Sequence, residues 1–281
     1  MPAAPTIREA LDAAQQATDR IEARVLLREV LQQSDAYLLA HGDDTLTAAQ
    51  AQQYVALLVR RVAGEPVAYL TGRREFCSRE FAVNPSVLIP RHETELLVEL
   101  ALQRLPADAP CRVLDLGAGS GCIGISIAAE RPQAQVTLID VSESALEIAR
   151  VNAARWAPHN TVLLQGDWYA AVTAKSYDLI VSNPPYVADS DAHLAQGDLR
   201  FEPRSALAAG RDGLADIRRI TGGAGDHLQP GGWLLLEHGH DQAEACAQLL
   251  AAAGLQEIFS APDLSGVMRV SGGRAPQGLP A

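Results

Sequence analysis

Four consecutive residues, Asn183-Pro184-Pro185-Tyr186, carry the most specific chemistry in the chain. Two prolines fix two φ angles and remove two backbone donors. The carbonyl groups of Asn183 and Pro184 are then free to face a ligand instead of a strand ladder. The Asn183 side-chain oxygen is a further acceptor in the same place, so the group can accept both hydrogens of an –NH2. Tyr186 adds a flat face that can stack on a planar amide or base. Such a device suits an amide nitrogen, which is a poor nucleophile because its lone pair is delocalised into the carbonyl. Hydrogen bonds to both N–H groups orient that lone pair and favour partial pyramidalisation. Positioning and fixed dipoles then supply most of the acceleration. No strong base is needed before attack, because the proton can leave afterwards. Beside this reading stands a plainer one, in which Asn-Pro-Pro ends a strand and opens a loop.

A second group lies upstream, at Asp115-Leu116-Gly117-Ala118-Gly119-Ser120-Gly121. Glycines let the backbone turn sharply and let a ligand approach the main chain. The helix that follows presents free N–H groups and the positive end of its dipole. Gly119, Gly121 and Gly124 also satisfy G-x-G-x-x-G, the dinucleotide fingerprint. Asp140, at the end of the next strand, suits ribose hydroxyls in either case. A P-loop is excluded, since no Gly-Lys-Ser/Thr follows. S-adenosylmethionine binding, dinucleotide binding and a purely structural turn all remain open on these residues alone. Asp115 favours the first, because a carboxylate repels a pyrophosphate and attracts a sulfonium and an ammonium.

The elements that hold these residues follow from periodicity. Ile7, Ala10, Leu11 and Ala14 share one helical face, as do Val55, Leu58, Val59 and Val62, with Thr47 as N-cap of the later helix. Ile21 to Leu31 reads as a helix between them. Gly64 and Pro66 close this helical segment. Phe76, Phe81 and Val83 lie in short stretches that pair as a hairpin closed near Pro85. Val98, Ala101, Leu102 and Leu105 return to helical spacing, broken by Pro106 and Pro110. From residue 111 strands alternate with helices: RVLDLG, QVTLID, TVLLQGD, YDLIVSNPPY and GGWLLLEHG are strands, and LQEIFS and VMRVSGG make a final pair. A mainly parallel, doubly wound sheet results. The division expected is 1–72 helical, 73–85 a hairpin connector and 86–281 the α/β domain. The last residues, RAPQGLPA, read as a frayed tail.

Composition narrows the function classes. With 281 residues, 48% of them apolar, the chain can bury a large core plus a small second one. Lys+Arg is 23 against Asp+Glu 34, a formal charge of −11, and Lys175 is the only lysine. That balance argues against broad nucleic-acid binding, which needs phosphates neutralised. Cys77, Cys111, Cys122 and Cys246 are scattered, with neither disulfide nor zinc spacing. The N-terminus lacks a signal pattern, and no apolar run is long enough to span a membrane. A cytoplasmic protein is expected.

The sequence resembles the HemK family, the protein-(glutamine-N5) methyltransferases that modify peptide chain release factors. The resemblance covers nearly the whole chain: PVAYLTGRREF, FAVNPSVLIPRHETE, VLDLGAGSGCIGISIA, QGDWY, VSNPPYV, QGDLRFEPRSAL and LLLEHG. The Asn-Pro-Pro-Tyr tetrad alone is shared with adenine-N6 DNA methyltransferases; the YLTG-x-x-EF and FEPRSAL stretches narrow the match. The resemblance implies a Rossmann-like, seven-stranded S-adenosylmethionine-dependent methyltransferase domain with a small N-terminal helical domain that helps dock the factor. It implies that Gly117, Ala118, Gly119, Ser120 and Gly121 wrap the methionine part of the cofactor, that Asp140 holds the ribose, and that Asp167 and Trp168 meet the adenine. Asn183, Pro184, Pro185 and Tyr186 become the catalytic and substrate-binding group, with Asn183 also against the cofactor. The substrate implied is the glutamine of a Gly-Gly-Gln motif, and the cofactor product is S-adenosylhomocysteine. No metal, no direct nucleic-acid contact and no membrane are expected, and a monomer is.

The segment Ile89-Pro90-Arg91-His92-Glu93-Thr94-Glu95 is implied to flank the methionine end of the cofactor. His92 stands where the family usually has a second proline, and we read this as a neutral exchange. His238 and His240, two apart, lack a third metal ligand and read as structural or cleft-lining. The resemblance also suggests that Phe201, Glu202 and Arg204 shape the substrate mouth. Two rivals stay in view: an adenine-N6 or other nucleic-acid methyltransferase, which needs a basic groove, and an NAD-linked oxidoreductase or a nucleotide-binding module without chemistry, which leaves Asn183 to Tyr186 unexplained.

Overall fold

The N-terminal helices begin where short polar side chains can cap them. In a computed structural model that describes residues 4–172 and 177–277, Thr6 and Glu9 form a reciprocal capping box at the start of α1 (Ile7–Ala14). Asp19 caps α2 (Arg20–Leu31) and Ser34 caps α3 (Asp35–Ala40). Thr47 and Gln50 make a second capping box at α4 (Ala48–Val62), and Pro66 precedes α5 (Val67–Thr71). Lys175 and the end of the C-terminal tail, residues 278–281, lie outside the described residues.

The helices share a core of Ile7, Ala10, Ala23, Leu26, Leu27, Tyr54 and Leu57. The Tyr54 hydroxyl donates to the Ala23 carbonyl at 3.0 Å, so this buried phenol is satisfied. The α4 stripe expected from spacing is on the wrong face. Val55, Val59 and Val62 are 57%, 64% and 60% exposed, while Tyr54 and Leu57 turn inward. Several apolar residues lie along this helix, and the larger tyrosine and leucine take the buried face.

The chain divides into two compact units, one running to Arg73 and joined by Gly197–Phe201, the other spanning Arg74–Gln196 and continuing from Glu202. Within the first, the Arg200 guanidinium donates to the Ala63 carbonyl at 3.0 Å, and Asp198 faces Arg61 at 3.6 Å. The hairpin of β1 (Arg73–Phe76) and β2 (Arg79–Ala82) turns at Cys77-Ser78, both in the left-handed region, and not near Pro85 as expected. A two-residue turn of this kind matches the twist of the strands it joins.

The second unit then runs α6 (Glu95–Arg104), β3 (Cys111–Leu116), α7 (Cys122–Glu130), β4 (Ala134–Asp140), α8 (Glu143–Trp156), β5 (Thr161–Gln165), β6 (Tyr177–Ser182), α9 (Ala215–His227), β7 (Leu228–Glu237), α10 (Ala243–Ala252), β8 (Gln256–Pro262) and β9 (Met268–Arg274). The large sheet has seven strands in the order β5-β4-β3-β6-β7-β9-β8. Strands β3 to β7 run parallel to one another, and β9 is antiparallel to both β7 and β8. Val113, Leu114, Leu116, Leu179, Ile180, Val181 and Leu234 to Leu236 are fully buried, as expected of central strands covered on both faces. The first residues of the expected frayed tail are ordered into the sheet. Arg274 ends β9, and buried Ala275 donates its N–H to the Gly232 carbonyl at 2.7 Å.

From β3 the chain builds outward to β4 and β5, then returns to the other side of β3 as β6. The connections on either side of β3 therefore leave in opposite directions. A crevice opens at the carboxyl ends of the two strands, where ligands of such sheets bind.

Candidate active site

The register brings the two sequence motifs together. Leu116, the last residue of β3, pairs with Ile139 of β4 and with Ser182 of β6, and Ser182 pairs with Leu236 of β7. The Gly-rich turn, Asp140, Asn183 and Glu237 thus leave four adjacent parallel strands at one edge. The Ser182 hydroxyl locks this level by donating to the Leu116 carbonyl at 2.7 Å. A cleft of about 510 Å3 lies there, and Gly117, Ala118, Gly119, Ser120, Asp140, Asp167, Trp168, Asn183 and Pro185 line it. Gly121, Pro184 and Tyr186 do not line it.

The glycines of the turn differ in what they do. Gly119 has φ +56°, and a Cβ there would meet nothing within 4 Å, so its backbone lies open to the cleft. Gly121 faces inward: a Cβ would come within 2.5 Å of Ile125 Cδ1, which makes it a packing position between helix and sheet. Asp140 accepts the Gly119 N–H at 2.8 Å through Oδ2 and the Ser142 N–H at 2.9 Å through Oδ1. Burial raises its pKa, and those N–H groups pull it back down.

Asp115 does not play the part its position suggested. It is fully buried and lies outside the cleft lining. Its Oδ2 accepts the Gly124 N–H at 2.8 Å, tying β3 to α7, while Oδ1 has no partner among the described residues. Burial raises its pKa to about 7, so it is a weak and shielded source of negative potential.

Trp168 has φ +51°, and its ring lies 3.2 Å from where a Gly117 Cβ would be. Its side chain is hydrogen-bonded to Asp216, whose own pKa burial raises. Asp167 does not cap the short helix that follows it; its carboxylate pairs with Arg219 at 2.5 Å. Arg219 also stands 6.0 Å over the Trp168 ring. Asp216 and Arg219 of α9 are therefore part of this wall. They lie on a polar helix face of ordinary composition, which gave no sequence signal.

The Asn183 Nδ2–H donates to Thr94 Oγ1 at 3.2 Å, which leaves the Oδ1 acceptor for the cleft. The Tyr186 hydroxyl donates to Glu237 Oε1 at 3.3 Å, and its carbonyl accepts from Gln242 Nε2 at 3.0 Å. Both ends of Tyr186 are thus held. Burial raises its pKa, so it stays a neutral phenol. Thr94 lay within the segment flagged for the cofactor, and Glu237 within LLLEHG, but nothing in their spacing singled either out.

Other flagged residues go elsewhere. Pro90, Arg91 and Thr94 line the cleft, but His92 faces a separate groove and sits 3.4 Å from Glu95. Glu202 is buried; it accepts the Ile89 N–H at 3.1 Å and pairs with Arg91. It braces the wall, whose surface is formed by Pro203, Ser205 and Ala206. Arg204 donates to the Asp189 carbonyl, and Phe201 belongs to the helical unit. His238 is buried, with Nδ1 2.8 Å from the Gly239 carbonyl and Nε2 2.8 Å from Ser271 Oγ, so both ring nitrogens are engaged. Among the described residues no group of three His, Cys, Asp or Glu could hold a metal ion, and no helix is long and apolar enough to cross a membrane.

Comparison with known proteins gives a consistent family. Residues 93–202 match the family model of the methyltransferase small domain, and residues 6–72 that of the PrmC N-terminal domain. The chain is 55% identical over 255 residues to a release factor glutamine methyltransferase of Bordetella pertussis, covering 90% of this chain and 94% of that one. It is 45% identical over 269 residues to the protein of the same name from Escherichia coli K12, covering 95% and 97%. In structure it is similar to a methyltransferase of Pyrococcus furiosus, with a TM-score of 0.53 at 18% identity over 78% of this chain and 97% of that one. That likeness shows the shared fold.

Proposed function

The chain belongs to the family of release factor glutamine methyltransferases, and from that membership we propose that it methylates the side-chain amide nitrogen (N5) of a glutamine in a peptide chain release factor. The glutamine is that of the Gly-Gly-Gln motif, the methyl donor is S-adenosylmethionine, and S-adenosylhomocysteine is the product. The single observation that carries this reading is the Asn183 side chain. Its Nδ2 is tied to Thr94, so an acceptor faces the cleft beside an open Gly-rich turn.

The residues present fit the cofactor. Each Asp140 oxygen accepts one backbone N–H and keeps a lone pair, which suits two adjacent ribose hydroxyls. Trp168 offers an aromatic wall for a base, and the left-handed Gly117 and Gly119 leave the main chain accessible to the amino-acid part. When bound, S-adenosylmethionine supplies a methyl group on a positively charged sulfur.

The chain supplies positioning and acceptors. Asn183 Oδ1 and the Pro184 carbonyl accept the two N–H groups of the glutamine amide and turn its lone pair along the transfer direction. These dipoles are fixed before substrate arrives, so little reorganisation accompanies the reaction. Tyr186, fastened through its hydroxyl and its carbonyl, provides a flat side for the amide plane. The extra amide proton departs to solvent after transfer. The helical segment 1–72 docks the protein substrate. The enzyme acts as a monomer in the cytoplasm, needs no metal, and at a charge of −11 makes no direct nucleic-acid contact.

The test is transfer of labelled methyl from S-adenosylmethionine to a purified release factor. The same factor with its Gly-Gly-Gln glutamine changed to alanine, and DNA and RNA, are assayed in parallel. Label on the intact factor alone, lost with Asn183→Ala, is expected. Label on nucleic acid would overturn the substrate, and no label anywhere would return the Gly-rich turn to a dinucleotide role.

A further inference from the structure

Proline has no backbone N–H, so Pro184 and Pro185 cannot hold their own stretch of main chain by donating. They do make it stiff. Each proline fixes its own φ, and each residue before a proline is pushed toward the extended region. Asn183-Pro184-Pro185 is therefore a short rod, and a rod is aimed by its two ends. The upstream end is secure: Ser182 ends β6, and its hydroxyl donates to the Leu116 carbonyl at 2.7 Å.

The downstream end is held by a residue that the mechanism above does not use. Gln242 immediately precedes α10, and its Nε2 donates to the Tyr186 carbonyl at 3.0 Å. A longer bond of 3.5 Å runs from Nε2 to the Asp212 carbonyl, and Oε1 accepts the Gly239 N–H at 2.8 Å. One end of the amide meets two carbonyls and the other an N–H, so its partners fix which way it points. The side chain makes no capping bond to α10; it faces back onto the loops. It is 9% exposed and does not line the cleft. Gly213 leaves room for the contact. It has φ +70°, and a Cβ there would lie 2.2 Å from the Tyr186 carbonyl oxygen and 2.8 Å from Gln242 Nε2. Past Tyr186 the chain runs beside residues 207–210, with the Val187 N–H on the Leu207 carbonyl at 2.9 Å and the Asp189 N–H on the Gly210 carbonyl at 2.8 Å.

We propose that Gln242 is a positioning residue for methyl transfer: by tying the Tyr186 carbonyl to the Gly239 turn after β7, it aims the Asn183 and Pro184 acceptors at the substrate amide. The inference rests on the reading of those acceptors as the holders of the glutamine amide. The cofactor contacts leave β3 and β4, whereas the amide contacts leave β6. In-line transfer needs the two groups aligned. Without the Gln242 bond the stiff segment pivots about Ser182, and both acceptors swing with it. The Tyr186 hydroxyl still reaches Glu237 at 3.3 Å, but that contact lies at the end of a rotatable side chain and leaves the main chain free.

The experiment compares wild type, Gln242→Met, Gly213→Ala and the double variant in methylation of a release factor. Affinity for S-adenosylmethionine is measured by calorimetry alongside. Gln242→Met keeps the length of the side chain and loses its bonds, so kcat should fall about tenfold to a hundredfold, the cost of a small misplacement. Cofactor affinity and KM for S-adenosylmethionine should stay close to wild type. Gly213→Ala pushes on the same carbonyl from the other side and should give the same split. Because both changes displace one group, the double variant should lose less than the product of the two. Wild-type kcat in Gln242→Met, or losses that multiply in the double variant, would overturn the proposal. If Gln242→Met no longer binds cofactor, Gly213→Ala decides. Reduced kcat with cofactor affinity kept supports the proposal; wild-type kcat, or affinity lost in step with kcat, overturns it. A wild type that methylates no factor would instead sink the functional reading on which the proposal rests, and the proposal with it.

Discussion

An asparagine side chain has nearly the same shape at its two ends and opposite chemistry. At Asn183 the Thr94 hydroxyl decides between them by taking Nδ2 as a donor at 3.2 Å. Asn183→Ala removes the acceptor that survives this choice. Methyl transfer to the factor should fall by about 10²–10³, the usual loss when one fixed polar group at a reacting centre is deleted. A rate within a few-fold of wild type would remove Asn183 from the machinery. His92 is the opposite case, an exposed ring that faces away from the cleft although it stands where the family usually has proline. Replacing it with proline should leave turnover and its pH profile unchanged, because the short helix begins there and proline suits a first helical position. A large pH-dependent loss in His92→Pro would show that the ring takes part.

Among the elements, α4 shows how periodicity identifies a helix without settling its orientation. The helix stands where its spacing put it, with Thr47 as cap, yet Val55, Val59 and Val62 face solvent. Two substitutions separate the faces. Leu57→Ala should cost about 2–4 kcal/mol in urea unfolding, as for other buried leucines. Val59→Gln should change stability by less than about 0.5 kcal/mol, as for other surface exchanges. Equal losses would mean that α4 is rotated relative to the face described. The Gly-rich turn invites a similar separation. Gly121→Ala drives a Cβ into Ile125, Leu138 and Ala149, and its left-handed φ adds strain. It should lower the melting temperature as well as cofactor affinity, whereas a turn glycine that only admits ligand would affect affinity alone.

Across the whole molecule, two carboxyl groups are buried in the second unit with pKa values raised to about 7, Asp115 and Glu237. Each binds a proton more tightly folded than unfolded. Their contribution to stability is therefore fully present below the ordinary values of 3.8 and 4.5 and is lost as pH rises through about 7. In this term the protein grows less stable as the pH rises through about 7. Asp115→Asn should flatten the fall in melting temperature between pH 5 and 8 and raise stability at the upper end. An unchanged pH dependence would show that Asp115 is already neutral, or already ionised, throughout that range.

Local chemistry was legible in the sequence because it depends on residue type and short spacing. Asn183-Pro184-Pro185-Tyr186, the open turn at Gly117 to Gly121 and Asp140 all declare themselves through backbone restrictions and acceptors within a few residues. The alternation of strands and helices, and with it the α/β class, also follows from periodicity alone. Long-range placement did not. Register set Leu116 beside Ser182 and Ser182 beside Leu236, and so put Asn183 and Glu237 at the ends of neighbouring strands, while the packing of the segment before α6 brought Thr94 to Asn183. It turned Asp115 into the interior and brought Arg219 to Asp167. Such partners are chosen by which strand lies next to which and by which face a side chain leaves, and neither is encoded in a window of neighbouring residues.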